Sequence, residues 1–489
     1  MVLMIVLLTA FFTMLPLALK VHVLEYDEAI RMDLVRNIQR FGLPLRSLGS
    51  QGIFDFDHIN HLYLYLLSLY VGPSEGGILA ARWMTVLFAL TSVALTFAIG
   101  CRLSDWVGGG TAAMLLAVHP FFALYGFFVR EEVPMVTALL GGLWLLLENR
   151  MLGAGILLAV AALCREMAIL FTSCCAVYVW WRGRGAWHKG WLNLSALVVP
   201  TALAWASWAL WAWKLSPAAF KATIQRWLNS AAAAHLLDPR ARVGMGDWAQ
   251  QLIFDLLGPA IAVGMVMALM KTLTNLKGRL TPERALLWGY AFLSLSLSFA
   301  IRLKEPRHWI ALVPVATLLI GVSLDWRGLV NRIRCHPAQP TRFVLVAATL
   351  LFFLLASPLR LPAGPWNRLT SWLDPLYGWR LLENDHFYRV FQLAGEYLQR
   401  RTRPNEVITV AHQATVVAYY ADRPYVMLYT LSREAIDAAL ARTRYLVWDD
   451  PIFLALTPSE VADLRQEIQR RFRVEEVIRD GDREVLIYR

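Results

Sequence analysis

The feature that most limits what this chain can become is the recurrence of uncharged apolar runs long enough to cross a bilayer as helix. Several reach about 18 to 20 residues, which spans roughly 30 Å of hydrocarbon. Eleven spans are predicted, at 2–19, 77–100, 107–125, 133–148, 152–164, 166–181, 191–213, 251–270, 285–301, 308–324 and 342–357. Residues 1–19 have no basic leader and no small-x-small cleavage site, so they read as an uncleaved anchor. Only 17% of the residues are charged and 57% are apolar, which argues against a soluble globular chain of 489 residues.

A formal net charge of +11 would suit a nucleic-acid binder, but its distribution argues against nucleic acid as a partner. Residues 360–489 hold 18 basic and 18 acidic side chains, so the whole excess lies in the apolar part. There it falls on alternate loops, at Arg102, Arg150, 182–189, 271–284 and 325–334. The positive-inside bias makes those loops cytoplasmic, with the N-terminus inside and the C-terminal 130 residues outside the cell (inner) membrane. The cysteines Cys101, Cys164, Cys174, Cys175 and Cys335 all lie in or beside spans, and no disulfide framework or zinc spacing follows.

The expected organisation is a polytopic α-helical membrane protein: a transmembrane domain at 1–357, with an outer loop at 20–76 carrying interfacial helices, then a soluble extracytoplasmic α/β domain at 358–489. In the outer loop, Ile30, Leu34, Val35, Ile38 and Phe41 follow helical spacing, with Arg31, Arg36 and Arg40 on the other side. After Pro358, Pro362 and Pro365, strands at 406–411, 425–429 and 444–448 alternate with helices at 386–400, 413–421 and 432–441. Thr457-Pro458-Ser459-Glu460 is a capping box that opens a helix to Arg471. Asp480-Gly481-Asp482 turns a hairpin between 474–478 and 484–488.

Charged residues on the outer loops carry the functional expectation. Glu25, Asp27 and Glu28 crowd together where the chain leaves the first span, an expensive place for bare charge. Asp55, Asp57, His58 and His61 return towards the next span, and Arg130, Glu131 and Glu132 fill a very short outer turn. Arg165 and Glu166 are nearly the only polar groups between two apolar runs, and Arg302, Lys304, Arg307 and His308 share a later outer connection. Basic residues there run against the positive-inside bias, and an anionic ligand would account for them. Plainer readings stand beside this one. Asp27 and Glu28 could cap the positive end of the loop helix. Arg165 and Glu166 could be a self-neutralised, snorkelling pair. His58 and His61 could hold a divalent metal ion or simply face solvent, and no cofactor is fixed by the sequence.

Carboxylates and fixed cations from separate loops suit transfer of a sugar from a lipid phosphate. A carboxylate takes the proton of the attacking hydroxyl, and cations stabilise the departing phosphate. Attack from the opposite side inverts the anomeric centre. The competing reading is a transporter or lipid-sugar flippase without covalent chemistry, which would be expected to show repeated halves and charged groups at midspan.

Several short motifs resemble the GT-C glycosyltransferases that use polyprenyl-phosphate sugars, a group that includes protein O-mannosyltransferases and lipid A aminoarabinose transferases. They are Tyr26-Asp27-Glu28-Ala29, Ala81-Arg82-Trp83, Arg130-Glu131-Glu132 with Pro134, Arg307-His308-Trp309 with Pro314, and Ala418-Tyr419-Tyr420 followed by Asp422-Arg423-Pro424. The resemblance implies a GT-C-like fold, with Asp27 as the base and Glu28 orienting the acceptor or the loop. It implies that Glu131 and Glu132 contact substrate or metal, and that Arg165, Arg302, Arg307 and His308 bind the donor phosphate. Arg82, Arg130, Asp55, Asp57, His58 and His61 fall to substrate binding. The implied partners are a polyprenyl-phosphate sugar donor, a protein, lipid or glycan acceptor, and membrane lipids. Two departures stand out: His58-Ile59-Asn60-His61 replaces the His-Pro-Pro-like run of many relatives, and Arg165 replaces their lysine.

Overall fold

Leu-, Ala- and Val-rich stretches without charge gain most by forming helices and burying their sides on one another, and this is what they do. The computed structural model describes residues 1–20, 24, 26–47, 53–54, 61–71, 76–183, 187–228, 249, 251–257, 259–274, 281–301, 309–323, 378–428, 431–449, 456–480 and 483–489. The chain divides into two units. One comprises Met1–Leu19, Phe56–Tyr63 and Ala81–Gly378, and the other Lys20–Asp55, Leu64–Ala80 and Trp379–Arg489.

In the first unit the predicted apolar runs emerge as Val2–Lys20, Gly76–Leu103, Glu132–Leu147, Met151–Cys164, Ala168–Arg182, Trp187–Leu215, Pro259–Thr274, Pro282–Ile301 and Leu312–Ser323. The run predicted at 107–125 is broken into Trp106–Ala117 and Pro120–Phe127, bent by 66°. His119 makes the break: its Nδ1 accepts the Phe122 N–H at 3.2 Å and its Nε2–H donates to the Leu257 carbonyl at 2.8 Å. Pro120 then occupies the first turn, where its missing N–H costs nothing. Among the described residues two helices are long and apolar enough to cross a membrane alone, Gly77–Leu103 and His188–Leu215, or three if the bent pair counts as one. The span expected at 342–357 lies outside the described residues.

Small residues let these helices approach closely, as they do where no hydrophobic force drives association. A Cβ placed on Gly108 would lie 2.6 Å from the Gly321 carbonyl oxygen, and one on Gly155 would lie 2.7 Å from that of Leu197. Backbone occupies both positions, so a side chain there would force the helices apart.

The second unit holds the α/β domain. Two short strands of the first loop, β1 (Leu45–Arg46) and β2 (Ile53–Phe54), pair antiparallel. A sheet follows from β3 (Ile408–Val410), β4 (Tyr425–Met427), β5 (Leu446–Trp448), β6 (Val474–Asp480) and β7 (Arg483–Tyr488), in the order β4-β3-β5-β7-β6. The first three strands are parallel and the last two antiparallel. Leu446, Trp448, Leu440, Ile436, Leu464 and Ile468 meet in its core. The capping box forms as the sequence predicts, with Thr457 Oγ1 accepting the Glu460 N–H and Glu460 accepting the Thr457 N–H.

The first-loop helix, Tyr26–Phe41, packs on Ala414–Ala421. Ile30, Leu34, Val35 and Ile38 are buried, as their spacing predicts. The side expected to face water is also largely engaged with protein. Arg36 donates to the Tyr419 carbonyl at 3.0 Å and to Asp422 at 2.9 Å, with its guanidinium 4.1 Å from the Tyr419 ring centre. Arg40 grips both Asp422 oxygens, at 2.9 and 2.8 Å. Asp422 ends its helix in the left-handed region, at φ 51°, which turns its carboxylate towards these arginines. Arg423 ties the turn down by donating to the Thr402 and Gln399 carbonyls at 2.7 and 2.9 Å. On the other side of the loop helix, Asp33 accepts both the N–H and the hydroxyl of Ser47, at 3.0 and 2.8 Å.

Burial pushes the Asp422 carboxyl up, but the hydrogen bonds and charges of Arg40 and Arg36 outweigh it and hold the group below its ordinary range. A carboxyl depressed in the folded state stabilises fully above the unfolded value and loses that contribution as pH falls through the folded value. Protection of 26–41 from hydrogen exchange is therefore expected to hold from neutral pH down to about 4 and to weaken below it. Asp422→Ala should lower that protection from neutral pH down to about 4, by about 1–2 kcal/mol once the exposure of Arg40 is discounted, and the difference should shrink below that. Unchanged exchange in this variant would show that the helix is held by other contacts. In the first unit, Gly155→Val is expected to lower the melting temperature of the detergent-solubilised protein, because the Leu197 backbone cannot yield.

Candidate active site

Charge inside an apolar bundle survives only where it is paired, and the first unit contains one such concentration. The helix Glu132–Leu147 begins with Glu132 in its first turn and Glu131 at its cap, so two carboxylates stand at the positive end of the helix dipole. The helix Met151–Cys164 stops at Arg165, whose backbone is extended and whose N–H still bonds the Ala161 carbonyl at 2.9 Å. One Arg165 nitrogen, Nη1, then reaches both acids, 3.0 Å from Glu131 Oε1 and 2.7 Å from Glu132 Oε1. The three side chains are 7%, 1% and 0% exposed.

Arg82 and Arg130 are buried too. The Arg82 guanidinium lies 4.7 Å from the Phe127 ring centre, and that of Arg130 lies 5.2 Å from Tyr125 and 5.8 Å from Phe128. The aromatic turn 125–128 thus cradles two cations, which cation–π attraction favours in a desolvated setting. Arg165 pairs with the acids of the neighbouring turn, so the self-neutralised Arg165–Glu166 reading does not describe it.

Glu132 Oε2 is buried and has no hydrogen bond among the described residues. It is the one carboxylate oxygen of the triad open to a further donor or cation. As a metal site the triad is incomplete: it supplies two carboxylates, and a guanidinium already sits between them. No group of three or more His, Cys, Asp or Glu residues suited to a metal occurs among the described residues.

In the second unit, Asp27 and Glu28 open the helix Tyr26–Phe41. Glu28 is fully buried, while the Asp27 side chain is 19% exposed. Arg31, one turn on, donates to the Asp27 carbonyl at 2.8 Å and stands 3.9 Å from its carboxylate. Asp27 is thus the more accessible of the two acids, with a cation beside it. Asp55, Asp57, His58, Arg302, Arg307 and His308 lie outside the described residues, and His61 is described only as the first residue of the helix His61–Tyr70.

Sequence reasoning missed the groups that hold the loop helix: Asp33, Asn37 and Ser47 within the loop, and Asp422 opposite it. Asn37 donates to the Leu45 carbonyl at 2.6 Å and to Ser47 Oγ at 3.0 Å. The available signal was the i, i+4 spacing of Asp33 and Asn37, polar residues on a face otherwise too apolar to be solvent-facing. The Tyr419-Tyr420 and Asp422-Arg423 motif also acquires a function here. Tyr420 accepts the Leu24 N–H at 3.3 Å, so the motif anchors the loop from Leu24 to Arg40.

No protein-family model and no curated protein sequence matches this chain. Solved structures do. ArnT from Cupriavidus metallidurans bound to undecaprenyl phosphate superposes with a TM-score of 0.65 at 13% identity, covering 100% of this chain and 97% of that one. The archaeal oligosaccharyltransferase AglB from Archaeoglobus fulgidus, in complex with an inhibitory peptide and a dolichol-phosphate, gives 0.55 at 11% identity, covering 92% and 69%. The same oligosaccharyltransferase in complex with Zn and sulfate gives 0.54 at 13%, covering 92% and 68%. At such identities the likeness is one of fold, and the fold of this chain is that of the GT-C glycosyltransferases, as its short motifs imply.

Proposed function

We propose that this chain is an inverting glycosyltransferase that moves a sugar from a polyprenyl-phosphate donor to an acceptor hydroxyl at the outer side of the cell (inner) membrane. The observation that carries the reading is the buried Arg165 bridge to Glu131 and Glu132, with Arg82 and Arg130 buried in the same unit. It lies in a fold shared with proteins whose structures hold undecaprenyl phosphate and a dolichol-phosphate. Fixed, buried guanidinium groups suit an anion on which charge develops, and a lipid-borne phosphate is the anion such a bundle can admit from the membrane.

In this reading the Asp27 carboxylate accepts the proton of the acceptor hydroxyl as its oxygen attacks the anomeric carbon. The bond from that carbon to the phosphate oxygen breaks, and polyprenyl phosphate departs with both bonding electrons. Arg165 stabilises the charge that develops on the phosphate, aided by Arg302, Arg307 and His308. Glu131 and Glu132 hold Arg165 in place and present an oxygen to donor hydroxyls. Glu28 orients the loop, and Arg82, Arg130, Asp55, Asp57, His58 and His61 contact substrate. The proposed topology has eleven spans with the N-terminus cytoplasmic, and residues 358–489 form an accessory domain outside.

Two variants test the roles in proteoliposomes supplied with a polyprenyl-phosphate sugar. Asp27→Asn is expected to lower kcat by about a hundredfold or more with donor binding retained, and full turnover would remove the proposed base. Arg165→Lys keeps the charge but not the planar guanidinium geometry, so donor KM should rise by about tenfold. An unchanged KM would take the phosphate away from Arg165.

A further inference from the structure

At the end of the helical unit remote from Arg165, two cavities meet along one tyrosine. The first encloses about 270 Å³ and is lined by Asn149, Tyr178, Arg182, Lys189 and Asn193 among others, with no carboxylate among the described residues of its wall. The second, about 230 Å³, is bounded chiefly by apolar groups such as Val177, Trp181, Leu286 and Leu293, and it shares Tyr178 with the first.

The two cations of the first cavity outnumber the one acid that its described wall engages, Glu283 through Tyr178. Arg182 and Lys189 supply two positive charges from the end of one helix and the beginning of the next. Glu148, the nearest acid in sequence to Asn149, is drawn to Arg102 at 3.5 Å. Asn149 is held in the left-handed region, at φ 59°, which a non-glycine residue adopts at some cost. It precedes the helix Met151–Cys164, whose cap carries no side-chain hydrogen bond to its first amides. The tyrosine between the cavities is fixed from both sides, donating to Glu283 at 3.2 Å and accepting from Arg182 at 3.1 Å.

The second cavity decides what kind of anion. A free phosphate would need only the cationic half, whereas an amphiphile would fill both. Trp181 is 49% exposed and Leu192 is 60% exposed, beside Arg182 and Asn193, so apolar surface continues outward from the charged pocket as at a headgroup–acyl boundary. We propose that this paired cavity is a binding site for an anionic membrane lipid, its phosphate between Arg182 and Lys189 and an acyl chain in the groove beyond Tyr178. The site is independent of the transfer reaction proposed above, since none of its residues belongs to that machinery.

The test is native mass spectrometry of the full chain released from nanodiscs of phosphatidylglycerol and phosphatidylcholine. The wild type should retain phosphatidylglycerol in preference. The double variant Arg182→Gln/Lys189→Gln should lose that preference by about tenfold, while Lys271→Gln, outside both cavities, should keep it. Gly289 borders the apolar cavity, and a Cβ there meets nothing within 4 Å. Gly289→Leu can therefore fill the cavity without strain and should weaken lipid retention with the cations intact. Wild-type preference in the double variant would overturn the site. Full displacement of the lipid by inorganic phosphate, together with no effect of Gly289→Leu, would overturn the lipid as its ligand.

Discussion

The arrangement on which the rest depends is a single guanidinium nitrogen held between two buried carboxylates. Removing one partner of a buried ion pair leaves an uncompensated charge, at a cost of about 3–5 kcal/mol. The triad therefore ties two stretches together, the start of Glu132–Leu147 and the end of Met151–Cys164. Hydrophobic residues of similar volume would pack as well at lower electrostatic cost. Retaining charge here is thus weak evidence of stability, and the proposed transfer reaction gives it another purpose.

The second unit solves a different problem, that of fixing a polar helix without a large core. The helix Tyr26–Phe41 begins with two acids and continues with arginines at positions 31, 36 and 40. Its buried apolar residues are Ala29, Ile30, Met32, Leu34, Val35 and Ile38, and directional bonds add to what their burial supplies. Asp422 meets two of the arginines, and its left-handed backbone is itself held by Arg423. The accessibility of Asp27 thus depends on a turn nearly 400 residues further along the chain, and this gives the C-terminal domain a part in positioning the loop.

Much of this was legible beforehand, for identifiable reasons. Apolar runs and the Thr457 capping box are local signals: the box forms as read, and most of the described runs become helices within a few residues of their predicted bounds, while 251–270 divides into a π-helical stretch, Gln251–Leu257, and the helix Pro259–Thr274. In the C-terminal domain the order of strands and helices follows from alternating periodicity. The resemblance marked Glu131, Glu132 and Arg165 as separate contacts, but their meeting depends on how two helix ends are brought together, which no spacing encodes. The 107–125 run read as continuous because His119 is one polar residue in an apolar window. Its two ring nitrogens are satisfied by backbone groups from different segments, and only the fold reveals both. Arg36 and Arg40 were legible as a polar face but not as ligands of Asp422, since a solvated arginine and a buried one look alike in sequence.

Helix length connects the two ends of the helical unit. Met151–Cys164 has 14 residues and rises about 21 Å, short of the roughly 30 Å of bilayer hydrocarbon. A helix this short with polar groups beyond both ends cannot place each of them at an ordinary headgroup boundary. Either the bilayer thins around it or one polar end is recessed into protein. The exposures favour recession at the Arg165 end, where side chains are 7% exposed or less, while Arg182 and Lys189 at the other end remain open. In the two proposals above, the recessed end would admit a charged headgroup only if the lipid bearing it enters sideways from the membrane, and the open end requires no such path. The same short helices therefore separate a site closed to water from one that is open to it.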